Sequence, residues 1–135
     1  MTSCSSGSPP CPVDERPRDR LGRPLAWDAK GFPGVEQRED ISEADAVAQA
    51  RDYLERGLPF HAHEVLEMRW RCCPTDERPL WQGLAQAAAG MTHAARGNPV
   101  GAERLVARGQ ASIAEYAGPL DDARAALIAK LTAAP

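Results

Sequence analysis

Beyond residue 40, apolar positions recur every three or four residues, which is the pattern of amphipathic helices packed on a shared core. The first helix is predicted over Glu43–Arg56, with Ser42 as its N-cap and Gly57 as its end. The second helix begins near Pro59, because proline is well tolerated in a first helical turn, and it is broken at Pro74. A connection this short predicts that the two helices pack as neighbours.

Three more helices follow by the same criteria. The third is predicted over Glu77–Arg96 and is the longest. It carries a stripe of small residues, which allows another backbone to approach closely. The members of this stripe are Gly83, Ala87, Gly90 and Ala94. The fourth helix begins at Asn98, an N-cap followed by proline, and runs to about Tyr116; the last follows the break at Gly118.

No segment shows the alternating pattern of a β-strand. The sequence therefore predicts an all-α fold, a small bundle of about five antiparallel helices, over residues 41–135. Residues 1–40 hold six of the twelve prolines and show no helical periodicity. We expect a disordered leader over residues 1–13 and an extended Pro/Gly-rich arm over residues 14–40. The arm either lies on the bundle or forms a solvated linker, and both interpretations stay open.

Composition and charge argue against several classes of partner. The 135 residues carry a formal net charge of −3 without a long block of one sign, so neither nucleic acid nor an anionic membrane surface is an expected partner. No apolar run approaches the roughly 20 residues of a membrane-spanning helix. The first residues lack the basic and apolar segments of a signal peptide, and we expect a cytoplasmic location.

The second helix contains the most informative polar residues. Helical spacing places His63 and Glu67 on one face, and Phe60 and Trp70 lie on the same face at its two ends. Because both aromatic rings favour burial, the imidazole and the carboxylate are expected to be buried too, and buried groups of this kind must be paired. His61 points away from this face and is expected at the surface.

The third helix supplies a matching polar stripe. Gln82, Gln86 and His93 lie on one of its sides. Arg96 and Asn98 follow near the start of the next helix, where an anion could sit. We therefore predict a buried polar cluster between the second and third helices. Its predicted members are His63, Glu67, Trp70, Gln82, Gln86, His93, Arg96 and Asn98.

A metal site is one interpretation of this cluster. His63, Glu67 and His93 form a two-histidine, one-carboxylate set that could hold zinc, iron or manganese. Glu64 could then act as general base, and a homodimer could add ligands across its axis. Against this hypothesis, the zinc motif HExxH is absent, because Glu67 stands where its second histidine would be. The chain also lacks the Glu-x-x-His pair of di-iron bundles.

Two other interpretations stay open. The cluster can be architectural, a satisfied network that fixes the register of the helices. It can also be a pocket for a small molecule or a peptide, in which Phe60, Trp70 and Trp81 supply apolar walls.

Read together, these residues resemble an uncharacterised bacterial helical family catalogued as domain of unknown function 309. The resemblance covers roughly residues 16–115. It rests on Arg16-Pro17-Arg18-Asp19, Gly22-Arg23-Pro24-Leu25, Pro59-Phe60-His61-Ala62-His63-Glu64 with Glu67 and Trp70, Leu80-Trp81-Gln82-Gly83-Leu84-Ala85-Gln86, His93-Ala94-Ala95-Arg96-Gly97-Asn98 and Gly101-Ala102. The resemblance implies a small all-helical cytoplasmic domain, and it implies no established activity.

The first functional hypothesis is a non-enzymatic binding or interaction module, whose rim engages a protein or small-molecule partner of unknown identity. The alternative is a metal-dependent hydrolase or related enzyme. In that alternative His63, Glu67 and His93 are the ligands of a divalent metal, and Glu64 is the base.

Overall fold

The computed structural model describes residues 16–133, and this part of the chain folds into α-helices without a β-strand. The all-α prediction is therefore confirmed. In chain order the five helices of the described part are α1 (Glu43–Glu55), α2 (Pro59–Cys72), α3 (Arg78–Ala95), α4 (Pro99–Glu115) and α5 (Asp122–Thr132). The leader predicted over residues 1–13 lies outside the described residues.

The helix ends follow the capping residues of the sequence. The Ser42 hydroxyl accepts a hydrogen bond from the Asp45 backbone N–H at the start of α1, and Gly57 turns the chain after α1 with a φ of +73°. Asn98 caps the start of α4 in the same way. Helix α3 begins one residue later than predicted, because Thr75–Glu77 forms a short 3-10 helix before it.

The core is organised around α3, which packs against α2 and, more extensively, against α4. Helix α1 packs on α2, and α5 contacts α1, α3 and α4. The α3–α4 pair is antiparallel, since Gly83 lies beside Gly109 and Gly90 lies beside Val106. The largest fully buried side chains are Val65, Leu66, Met68, Leu80, Trp81, Leu84, Leu127 and Leu131. No helix within residues 16–133 has the length and apolar character needed to cross a membrane.

The part of the N-terminal arm that the structure describes lies on the bundle. Asp19–Arg23 forms a tight turn, which we call the Asp19 turn, and an isolated bridge between Arg18 and Pro24 flanks it. Leu21 within this turn is buried, and its carbonyl oxygen accepts hydrogen bonds from Arg96 at the end of α3. The sequence leaves open whether the arm lies on the bundle or forms a solvated linker. In the structure, the described part of the arm lies on the bundle.

Candidate functional site

A concave pocket lies where the start of α2 meets the end of α3. Its volume is about 160 Å³, and one side is open to solvent. The lining residues are Phe60, His63, Ala89, Thr92, His93 and Arg96. We call this cavity the α2/α3 pocket. It brings together three members of the predicted cluster, His63, His93 and Arg96, which come from two helices.

His63 lies between two glutamates of its own helix. Its Nε2 is 3.4 Å from Glu67 Oε2, and its Nδ1 is 3.8 Å from Glu64 Oε2. The His63 side chain is 22% exposed and the Glu67 side chain is 39% exposed, so the prediction that both are buried is wrong. The core face of α2 is formed instead by His61, Ala62, Val65, Leu66 and Met68. Because this face fills the interior, His63 and Glu67 lie at the edge of the α2–α3 contact.

Glu67 is oriented by a second partner. Arg71, one helical turn later, pairs with Glu67 Oε1 at 3.0 Å, while Oε2 faces His63. The three side chains thus form a row along the solvent edge of α2. Such a row of half-exposed groups contributes little to stability, because water screens the charges.

His93 is held by the residue that caps α4. The Asn98 side-chain oxygen accepts a hydrogen bond from the Gly101 backbone N–H at 3.1 Å, which fixes the orientation of the amide. The amide nitrogen, which only donates, lies 3.1 Å from His93 Nδ1. We therefore assign Nδ1 as the acceptor, so that the ring proton of His93 resides on Nε2.

Arg96 joins the pocket to the N-terminal arm. Its Nε and Nη2 both donate to the carbonyl oxygen of Leu21, at 3.1 and 2.6 Å. The sequence places Arg96 in the cluster and gives no sign of this contact, because the two residues are far apart along the chain. Arg96 therefore lines the pocket and also holds the arm through its guanidinium.

The other predicted members lie elsewhere. Trp70 packs against the guanidinium of Arg78, whose Cζ is 4.6 Å from the ring centre, and Gln82 is exposed. Gln86 accepts a hydrogen bond from the Ser112 hydroxyl at 3.1 Å, so this side of α3 faces α4 rather than α2. The predicted polar cluster is therefore divided between two sides of α3 and the protein surface.

The metal interpretation requires His63, Glu67 and His93 to converge on one point. Across residues 16–133, no group of three or more histidine, cysteine, aspartate or glutamate side chains is arranged to hold a metal ion. His93 also directs Nδ1 toward Asn98. Glu64, the candidate base, faces His63 at 3.8 Å and is not one of the pocket-lining residues.

His61, expected at the surface, is buried with 3% of its surface exposed. Its Nε2 lies 2.7 Å from the carbonyl oxygen of Pro33, which can only accept, so Nε2 carries the proton and donates. The ring centres of Phe32 and Tyr53 each lie 5.3 Å away. The expectation failed because it considered the helices alone, whereas Phe32 and Pro33 belong to the arm.

A second polar cluster at the other end of α3 was missed. The fully buried Trp81 ring lies beside two guanidinium groups, with the Cζ atoms of Arg69 and Arg124 at 5.4 and 6.0 Å from its centre. Trp81 Nε1 donates to Glu77 at 2.9 Å. Arg124 pairs with Glu43 of α1. We call this group the Trp81 cluster, and it links α1, α2, α3 and α5.

The sequence did contain a signal for the Trp81 cluster. Arg124 precedes Leu127 and Leu131 by three and seven residues, so helical spacing places all three on the core face of α5. A charged side chain on such a face needs a buried partner. The oppositely charged groups of the cluster face each other, Arg69 with Glu77 and Arg124 with Glu43.

The chain matches a known family over its central helices. Residues 47–105 match the family described as Domain of unknown function (DUF309). This range runs from α1 into α4 and contains every residue that lines the α2/α3 pocket. The arm and α5 lie outside it. No curated protein and no solved structure gave a significant match.

Proposed function

We propose a function from the α2/α3 pocket itself, because residues 47–105 match the DUF309 family and the description of that family names no activity. The domain is a binding module for a compact organic anion, a carboxylate joined to a flat apolar group. One observation carries this proposal: an arginine, two histidines and a phenylalanine line a single cavity.

The polar side of the pocket favours an anion. Arg96 is permanently charged and has five N–H donors. Its Nε and Nη2 donate to Leu21, and the residue is also one of those that line the cavity. His93 has Nε2–H as a further donor, as its contact with Asn98 requires. Convergent donors around one cation are the arrangement that binds carboxylates.

Two carboxylates near the pocket do not oppose this interpretation. Glu64 and Glu67 flank His63 on α2, and neither lines the cavity. Glu67 is also paired with Arg71, which offsets its charge. The side chains that face the ligand are therefore neutral or cationic.

The apolar side of the pocket suits a single flat ring. Phe60 and Ala89 provide the apolar walls, and the cavity volume is about 160 Å³. An apolar cavity of about 150 Å³ accommodates a benzene ring. A single ring bearing one carboxylate therefore suits the pocket, and benzoate is the appropriate probe.

The geometry favours this binding function over the metal-dependent hydrolase. The hydrolase needs a third ligand near His63 and His93, and residues 16–133 contain no such three-ligand group. The binding function needs only the side chains that line the cavity.

Benzoate titration followed by NMR tests the proposal. We expect the ring signals of His63 and His93 to shift with a dissociation constant of the order of 1 mM, as is typical for a fragment of this size. Arg96→Gln should weaken binding about tenfold or more. Arg104→Gln on the exposed face of α4 is the matched control and should bind like wild type.

A neutral ligand of the same shape separates charge recognition from simple filling of the cavity. Benzamide should bind about tenfold more weakly than benzoate, because it lacks the charge that Arg96 pairs with. Absence of any histidine shift with benzoate would overturn the proposed function. Equal affinity for the two ligands would show that the pocket does not select anions.

A further inference from the structure

Two walls of the α2/α3 pocket are held by the N-terminal arm rather than by the helices alone. The first is Phe60, whose ring packs against Gly22 of the Asp19 turn. A Cβ atom on Gly22 would lie 2.5 Å from Cδ1 and Cε1 of Phe60, so the backbone of the turn touches the ring directly. Gly22 also has a φ of +79°, which favours glycine at this position.

The second wall is Arg96. Both of its hydrogen bonds to the arm end on one atom, the carbonyl oxygen of Leu21, which neighbours Gly22. The position of the guanidinium therefore depends on where the Asp19 turn sits. Since Phe60 lines the apolar side of the pocket and Arg96 the polar side, one turn fixes both.

The Asp19 turn is held together by hydrogen bonds to the carboxylate of Asp19. Asp19 Oδ1 accepts hydrogen bonds from the backbone N–H groups of Leu21 and Arg23, both at 2.9 Å. Its Oδ2 accepts from Arg23 Nε at 2.7 Å. Arg20 Nη2 donates to the carbonyl oxygen of Gly57 at 2.9 Å, which ties the turn to the connection between α1 and α2. The turn thus docks as one preformed unit.

We infer that the Asp19 turn is a conformational element of the pocket, so that docking of the arm and binding in the α2/α3 pocket are coupled. When the turn is docked, Phe60 and Arg96 are in place; when it is released, both lose the contact that positions them. The coupling is reciprocal, so a ligand in the pocket stabilises the docked arm by the same factor. The coupling between ligand binding and docking of the arm rests on the proposed function. The positioning of Phe60 and Arg96 by the turn does not.

Gly22→Ala in the full chain is the first test, because the added methyl group prevents the turn from lying against Phe60. Gly34→Ala is the matched control within the arm, since no atom lies within 4 Å of its added Cβ. We expect Gly22→Ala to broaden or remove the Arg96 Nε–H signal and to shift the His63 ring signals. Gly34→Ala should leave both unchanged.

Asp19→Ala is a second test, because Gly22→Ala also pushes directly on Phe60. It removes the hydrogen bonds that shape the turn and touches none of the residues lining the pocket. Exchange of the Leu21 amide and of Arg96 Nε–H should accelerate about tenfold or more. Asp19→Asn keeps an oxygen acceptor for the two backbone N–H groups and should restore most of the protection.

The benzoate affinity completes the test. In Gly22→Ala and Asp19→Ala the dissociation constant should rise about tenfold, while Gly34→Ala matches wild type. Unchanged affinity in variants whose arm is released would overturn the coupling and leave the proposed function intact. If wild type does not bind benzoate, the proposed function fails. The Arg96 and His63 signals then still decide whether the turn controls the pocket. If these signals are the same in both variants as in wild type, the inference is overturned.

Discussion

Gly83 of α3 and Gly109 of α4 face each other so closely that a Cβ atom on either one would lie 2.6 Å from the carbonyl oxygen of the other. The two helices therefore touch backbone to backbone at this point. A second close approach occurs at Gly90, where a Cβ would lie 2.8 Å from a methyl group of Val106. Three members of the small-residue stripe predicted on the third helix, Gly83, Ala87 and Gly90, permit this packing, whereas the fourth, Ala94, is exposed.

Replacing Gly83 by alanine should destabilise the protein by about 1–3 kcal/mol. Alanine favours a helix by up to about 1 kcal/mol over glycine, but the new methyl group meets the backbone of Gly109, which cannot move aside without shifting α4. Urea unfolding followed by circular dichroism measures the change. Gly34→Ala, in open space, is the control. A Gly83→Ala variant as stable as wild type would contradict the close packing.

Glu43→Gln should destabilise the Trp81 cluster. Arg124 is buried with 8% of its surface exposed, and Glu43 is the carboxylate paired with it. Removing that charge leaves a buried guanidinium without its counter-ion, at a cost of about 1–3 kcal/mol in the free energy of unfolding.

The control for Glu43→Gln is a surface ion pair on the same helix. Asp52 pairs with Arg56 at 3.1 Å, and both side chains are more than half exposed. Asp52→Asn should change the free energy of unfolding by no more than about 0.5 kcal/mol. Equal effects of the two substitutions would show that the Glu43 pair does not differ from a solvated one.

The helices were predictable because each is specified locally. Ser42 and Asn98 cap α1 and α4 through their own side chains, and Gly57 adopts the left-handed conformation that its position needs. Apolar spacing then assigns the core face. None of these signals depends on a distant part of the chain, so the sequence was sufficient for the fold class and for most helix ends.

The site was less predictable because it depends on contacts between distant segments. Same-face reasoning placed His63 and His93 in one predicted cluster, and both residues line the α2/α3 pocket. It overestimated the burial of the cluster, because helical periodicity does not show which edge of a helix stays uncovered by the neighbouring helices. It left the docking of the arm open and did not foresee the contact between Leu21 and Arg96, since this contact runs through a backbone carbonyl that carries no side-chain signature.

Acid should release the Asp19 turn. Burial by itself raises the pKa of Asp19, but hydrogen bonds from Arg23 and Leu21 to its carboxylate outweigh this effect and bring the pKa below its ordinary value of 3.8. A carboxylate whose pKa is lowered in the folded state stabilises that state at pH values above the ordinary pKa of the group. This stabilisation is lost as the pH falls through the lower pKa of the folded state.

The exchange of the Arg96 Nε–H proton reports this release, since it donates to Leu21 in the docked arm. Relative to the intrinsic rate at each pH, exchange should rise as the pH falls from 5 to below about 3.8. Because other carboxylates titrate in the same range, Asp19→Asn is the necessary control: its amide does not titrate, so the rise should be smaller. Identical profiles for wild type and Asp19→Asn would assign the acid effect to other groups.

Removal of the side chain should have a large effect on stability at His61 and a small one at His63, two residues further along α2. His61 is enclosed by aromatic rings and donates to Pro33 of the arm, so His61→Ala leaves a cavity and an unpaired carbonyl oxygen, at about 2–4 kcal/mol in the free energy of unfolding. His63 is at the pocket edge, and His63→Ala should change this free energy by less than about 1 kcal/mol while weakening benzoate binding. Urea unfolding of the two variants compares them directly. A larger loss for His63→Ala would mean that the arm does not cover α2 as described, because the burial of His61 depends on that cover.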